Sequence, residues 1–157
     1  MVLGYRLVLS AYGFWLPNDP RGSYSKFVGS EEIFRFGKAT TVDTRASVAA
    51  NPHDTALRRR AKRALERPPV RFSGFPARAI GRGFESAVDQ YALPIWACAI
   101  MPDHVHLIIG RNKLSIEESA DRLKREATQR LLAESLHPFS DDRDSNGRVP
   151  SVWARGG

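Results

Sequence analysis

Read from its apolar positions, the chain predicts three helices, a first strand, a later hairpin of two strands and a short strand near the end. Residues 4 to 10, GYRLVLS, mix aromatic and β-branched types and predict a first strand. Residues 54 to 67, DTALRRRAKRALER, place Leu57, Ala61, Ala64 and Leu65 at three- and four-residue spacings behind Asp54, a suitable N-cap, and Pro68-Pro69 stops this helix. A second amphipathic helix is predicted over FPARAIGRGFESAVDQYAL, with Ala79, Phe84, Ala87, Val88 and Tyr91 toward the core, although Gly81 and Gly83 weaken its first half. After Pro94, the apolar run IWACAIM, the pair Pro102-Asp103 and the run HVHLIIG predict a tight antiparallel hairpin over residues 95 to 110. Ser115 followed by Glu118 is a capping box that opens a third helix, whose apolar stripe is Ile116, Ala120, Leu123, Ala127 and Leu131. A short strand is expected from Val149 to Trp153, and between Gly29 and Asn51 only a short strand or irregular cover.

The segment AYGFWLPNDPRGSYSKF has too many turn residues for a helix or central strand. Its Phe14, Trp15 and Arg21 support two readings. Aromatic and guanidinium groups on a stiff loop can stack on unpaired bases and grip phosphate, or the aromatics can pin the loop to the core.

Composition limits the partners. At 157 residues with 42% hydrophobic and 26% charged positions, the chain fits one globular domain, 1–157. Lys and Arg number 24 against 17 Asp and Glu, for a net charge of +7, which favours a polyanion, nucleic acid first. Arg58, Arg59, Arg60, Lys62, Arg63 and Arg67 give the first helix a dense positive surface; Arg122, Lys124, Arg125 and Arg130 lie off the apolar stripe of the last. The lone cysteine, Cys98, in an apolar run, is expected to be an inert core residue of a protein from a reducing cytoplasm. The N-terminus lacks the pattern of a signal peptide, and no apolar run approaches the roughly 18 residues of a membrane span.

One stretch asks for chemistry. In MPDHVHLII the strand period puts His104 and His106 on one face and Val105, Leu107 and Ile109 on the other. Two same-face imidazoles can share a divalent cation and leave its other positions to water or substrate, an arrangement suited to a Lewis acid at a phosphate. Ile108 occupies the position where a hydrolytic H-x-H-x-D or H-x-H-x-H site would need a further ligand.

MPDHVHLII resembles the HUH motif (His, hydrophobe, His) of the single-tyrosine HUH transposases, which include the REP-associated tyrosine transposases. Three more stretches are similar in order: YGFWLPNDPRGS to the Y-G-T-W-L-P-G-D-P-R-G segment of one branch, RLKREATQRL to its L-K-x-x-A-T-R-x-L, and VWARGG to its W-x-x-G-G. The resemblance implies an α+β, ferredoxin-like antiparallel sheet with helices packed on one face, the HUH nuclease fold, acting in cleavage and joining of single-stranded or hairpin DNA. It implies His104 and His106 as ligands of Mg or Mn and Lys124 as a DNA contact, and it places Trp15 and Arg21 in the matching early loop; with the basic residues Arg122 and Arg125 beside Lys124, these form the expected DNA-binding set, and a homodimer is within the family's range. In that family a tyrosine from a helix downstream of W-x-x-G-G attacks the phosphate. Here Tyr5, Tyr12, Tyr24 and Tyr91 all precede the histidines. The expectation is therefore an HUH domain without its tyrosine helix, with no catalytic residue assigned. The alternative is a non-catalytic DNA- or RNA-binding module derived from a transposase.

Overall fold

The structure, a computed structural model, describes residues 2–17, 19–21, 31–38 and 51–154. The expected cover over residues 39 to 50, Tyr24 and the last three residues of VWARGG lie outside them. The chain divides into two compact units, one of residues 1–11 and 70–153, the other of residues 12–69 and 154–157.

In the first unit, β1 (Gly4–Ser10) is followed by α3 (Phe75–Tyr91), β2 (Ile95–Ile100), β3 (His104–Gly110) and α4 (Ile116–Ala133); α1 (Glu31–Phe34) and α2 (Thr55–Arg63) belong to the second unit. The sheet is antiparallel with β3 central, in the order β1-β3-β2. Strand alternation decides which side is covered. Leu7 and Leu9 of β1 and Val105, Leu107 and Ile109 of β3 are buried, and α3 lies on their side, with Gly81 facing the Ile100 side chain. The fold class is therefore α+β, a three-stranded antiparallel sheet with helices packed on it.

The weak point in the α3 pattern is where the two helices meet most closely. A Cβ on Gly83 would lie 2.5 Å from the Ala127 Cα and 2.7 Å from its nitrogen, so only glycine allows this approach of α3 to α4. Arg82 then pairs through both carboxylate oxygens with Glu134, the C-cap of α4. The capping box forms as expected, Glu118 N donating to Ser115 Oγ (3.1 Å) and Ser115 N to the Glu118 carboxylate (2.8 Å). In place of a strand from Val149 to Trp153, a single bridge joins Trp153 to Ala11. Trp153 is instead held by its side chain, which stacks at a tilt on Phe72 (4.9 Å) and donates from Nε1 to Lys124 O and Thr128 Oγ1.

Cys98 corrects an expectation. Its cross-strand partner is Leu107, yet it is exposed, because β2 is an edge strand that the helices do not fully overlie. Partial desolvation still pushes its thiol up, away from the reactive thiolate.

The second unit is built around α2, capped by Asp54 Oδ1 accepting from Leu57 N (2.8 Å). This helix ends at Arg63, before Pro68 and Pro69 are reached. A short helix, α1, occupies part of the segment expected to be irregular. No helix among the described residues is long and apolar enough to cross a membrane.

Two outcomes follow. Gly83→Ala should cost about 1–3 kcal/mol through forced separation of α3 and α4, read as a lowered urea midpoint with unchanged slope. His137 is buried, with Nδ1 accepting from Phe139 N (3.2 Å); burial and then Arg143 push its pKa down. The folded state therefore binds its proton less readily than the unfolded chain. Stability from this group is present above the usual imidazole value of about 6.5 and is lost as pH falls through it. His137→Gln should flatten that acid limb in urea unfolding measured across pH.

Candidate functional site

The site begins at the hairpin turn. Met101 N donates to His104 O (2.8 Å) across Pro102-Asp103, which closes the turn tightly enough to bring Asp103 alongside the first residue of β3. The turn is tied on both sides, with Ala11 N donating to Asp103 O (2.9 Å) and Phe72 N to Pro102 O (2.8 Å). Its Asp103 carboxylate lies 2.6 Å from His104 Nδ1. A carboxylate accepts only, so His104 Nδ1 donates to it and Nε2 is the ring nitrogen turned toward His106.

At Nε2, His104 accepts from His106 Nε2–H at 2.9 Å, with the two rings nearly perpendicular and their centroids 4.5 Å apart. Cross-strand neighbours leave the rings room: His104 is opposite Ser10, and His106 lies between Val8 and Ala99. Burial, then the neighbouring His104, then Arg6 push the His106 pKa down, so this ring is neutral at pH 7. Neutral imidazole is the ligand form. Two such nitrogens bound at about 2.1 Å and at a right angle would be roughly 3.0 Å apart, so the observed separation fits adjacent positions on one octahedral cation. Among the described residues no group of three or more His, Cys, Asp or Glu converges, so the pair would fill two positions and leave the rest to other donors.

Within the first unit, the three basic candidates of α4 do not gather at this pair. Arg122, Lys124 and Arg125 belong to α4, which packs on the side of Leu7 and Leu107, while the histidines emerge from the opposite face of the sheet. Arg122 lies over the Tyr91 ring (5.0 Å), and Lys124 contributes its carbonyl to Trp153. In the second unit, Arg21 is gripped by Asp19, donating from Nε (2.9 Å) and Nη2 (2.8 Å), and lies 4.2 Å over the Trp15 ring. Burial alone would raise the Asp19 pKa, but the bonds from Arg21 and the field of Arg58 outweigh it and the pKa falls. Phe14 is buried beneath Lys62. These contacts favour the pinned-loop reading of this segment. On the basic helix, Arg60 and Arg63 line a cleft of about 470 Å³ with Arg35, Phe36 and Ala64.

Asp103 and Arg6 join the site only in the folded structure. A carboxylate immediately before an H-x-H pair, in a turn too short to carry it away, is the signal for the first. Arg6 becomes visible only once the register places it opposite Ile108.

No family model matches the chain, and no curated protein matches it.

Removing the positive neighbour should relieve the smallest of the three causes: in Arg6→Gln the His106 pKa rises part of the way toward the ordinary imidazole value, with burial and His104 still holding it down, followed by the Hε1 proton shift in an NMR titration. An unmoved titration would show that the Arg6 charge does not reach His106.

Proposed function

We propose that the chain is a nucleic-acid-processing domain of the HUH type, a transposase-like domain acting on single-stranded DNA through a divalent metal held by His104 and His106. The observation that carries this reading is the pair of Nε2 atoms 2.9 Å apart on the central strand, one of them oriented by the Asp103 carboxylate. The order β1, α3, β2, β3, α4 with β3 between its neighbours supports it. This is the order of a ferredoxin-like fold, with the Trp153–Ala11 bridge where a fourth strand would join beside β1. The excess of 24 basic over 17 acidic residues suits a polyanionic substrate.

The residues divide the work as follows. Asp103 holds the His104 tautomer, and the backbone bonds of its turn hold Asp103. Burial keeps His106 neutral, and a cation entering between the rings would replace the bond between the two Nε2 atoms, the His106 hydrogen then sitting on Nδ1. Arg6, on the same face, lends positive charge for a phosphate nearby. A bound divalent ion would supply Lewis-acid polarisation of a phosphate oxygen. Two imidazoles suit Mn better than Mg, since Mg favours all-oxygen surroundings. Tyr5 and Tyr91 are not the attacking groups in this reading: Tyr5 pairs with buried Ile109 on the helix side, and Tyr91 donates to Glu126 of α4.

Mn titration followed by electron paramagnetic resonance tests the centre. Binding should disappear in His104→Ala and in His106→Ala and weaken about 10- to 100-fold in Asp103→Asn. The same substitutions should remove any Mn-dependent gain in affinity for an unpaired oligonucleotide. Mn affinity unchanged in both histidine variants would refute the centre.

A further inference from the structure

The sheet face that carries the histidines also carries an exposed tryptophan, and the backbone is shaped to put it there. Ile95 pairs with Ile109 and Ala97 with Ile108, so Trp96 is the extra residue of a β-bulge. Bulges re-aim side chains, and this one turns Trp96 away from the helix side, where Ile95 points with its partner Ile109. The indole then lies over a gap made by two glycines paired across β1 and β3. A Cβ on Gly110 would come within 2.7 Å of the Trp96 ring, and one on Gly4 within 2.9 Å. Gly110 shares the parity of His104, His106 and Ile108 on β3, so ring and histidines occupy one face. Trp96 is 61% exposed there and Ile108 37%.

The order of side chains along this face is chemical as well as geometric. From Gly110 toward the turn, the rows are Trp96 over Gly4 and Gly110, then Arg6 beside Ile108 and Ala97, then Val8, His106 and Ala99, then Ser10 with His104. Gly110 and His106 are four residues apart on β3, about 13 Å at strand rise. A planar aromatic group, a cation and a pair of potential metal ligands therefore follow one another across an open sheet. A large exposed indole without a ligand is an uncompensated apolar surface, and burying its other side on glycine leaves one flat face toward solvent. Aromatic faces on open sheets take unpaired bases, and the adjacent cation takes the phosphate.

We propose that Trp96 is a stacking platform for an unpaired base of single-stranded nucleic acid, with Arg6 contacting the intervening phosphate. The choice of ligand rests on the function proposed above; the platform itself needs no metal. Positive charge at Arg6 and the net +7 of the chain favour a nucleic acid over an apolar peptide or a second copy of the chain.

The test uses the full chain in EDTA, with short oligothymidylate as the probe and tryptophan fluorescence as the signal. Stacking should quench emission, and Trp96→Leu should remove most of the quench. That variant should also weaken single-strand binding about 5- to 150-fold, with the slope of log affinity against log salt unchanged because the phosphate contacts remain. Trp96→Phe should restore most of the affinity, and Arg6→Gln should lower the salt slope. Equal affinity and quench in Trp96→Leu, or no binding of oligothymidylate at all, overturns the platform. So does concentration-dependent self-association that Trp96→Leu abolishes without any effect of oligonucleotide. Quenching that persists in His104→Ala alongside failed Mn binding in wild type would leave the platform standing and sink the metal centre.

Discussion

Everything at the candidate site depends on the register of β3. Val105, Leu107 and Ile109 are fully or almost fully buried beneath the helices, with Leu7 and Leu9 beside them. Burial of five such side chains is worth on the order of 10 kcal/mol, and a slip of one residue would turn the β3 trio to solvent. A hydrogen bond between histidine and carboxylate contributes only about 1.5–3 kcal/mol. The core therefore decides where the imidazoles go. His104 and His106 meet on the outer face because their neighbours are needed on the inner one.

From that constraint the site acquires its rigidity. The central strand is bonded on both sides, so the ladders to β1 and β2 fix the backbone that carries the two histidines. What remains adjustable is ring rotation, and Asp103 removes it for His104. The helix pair adds stiffness below, since the Gly83–Ala127 approach leaves no slack between α3 and α4. Catalytic and binding groups held by a strand with a packed underside are better pre-organised than those on a loop.

How far the sequence discloses this varies with the range of the interactions. The strand period of HVHLIIG, the capping box at Ser115 and the Pro102-Asp103 turn are local, and each forms as its residues suggest. The same-face placement of His104 and His106 was legible for the same reason, while their 2.9 Å contact needed the side-chain geometry. Features that depend on pairing were hidden. The bulge at Trp96 arises from register between β2 and β3, and the exposure of Cys98 from the edge position of β2, neither of which an apolar run reveals. Gly83 looked like a helix defect because its use lies in Ala127, more than forty positions away. Arg21 reads as a group free to grip phosphate because Asp19, two residues earlier, reads as a turn residue; the structure closes them into a pair.

The stitching of the hairpin turn bears on how the chain is assembled from parts. The first unit is left at Ala11 and resumed at Val70, and the backbone on both sides of that break is bonded to the same hairpin turn, Ala11 to Asp103 and Phe72 to Pro102. The departure and return points are thus clamped together by the first unit alone. Such a junction is a natural seam for an insert. The excursion from Tyr12 to Pro69 could be exchanged for a short linker, or for a foreign module, with the strand ends and the His104 turn still fastened in place. The three-stranded unit is, in that sense, a chassis with one interchangeable mount.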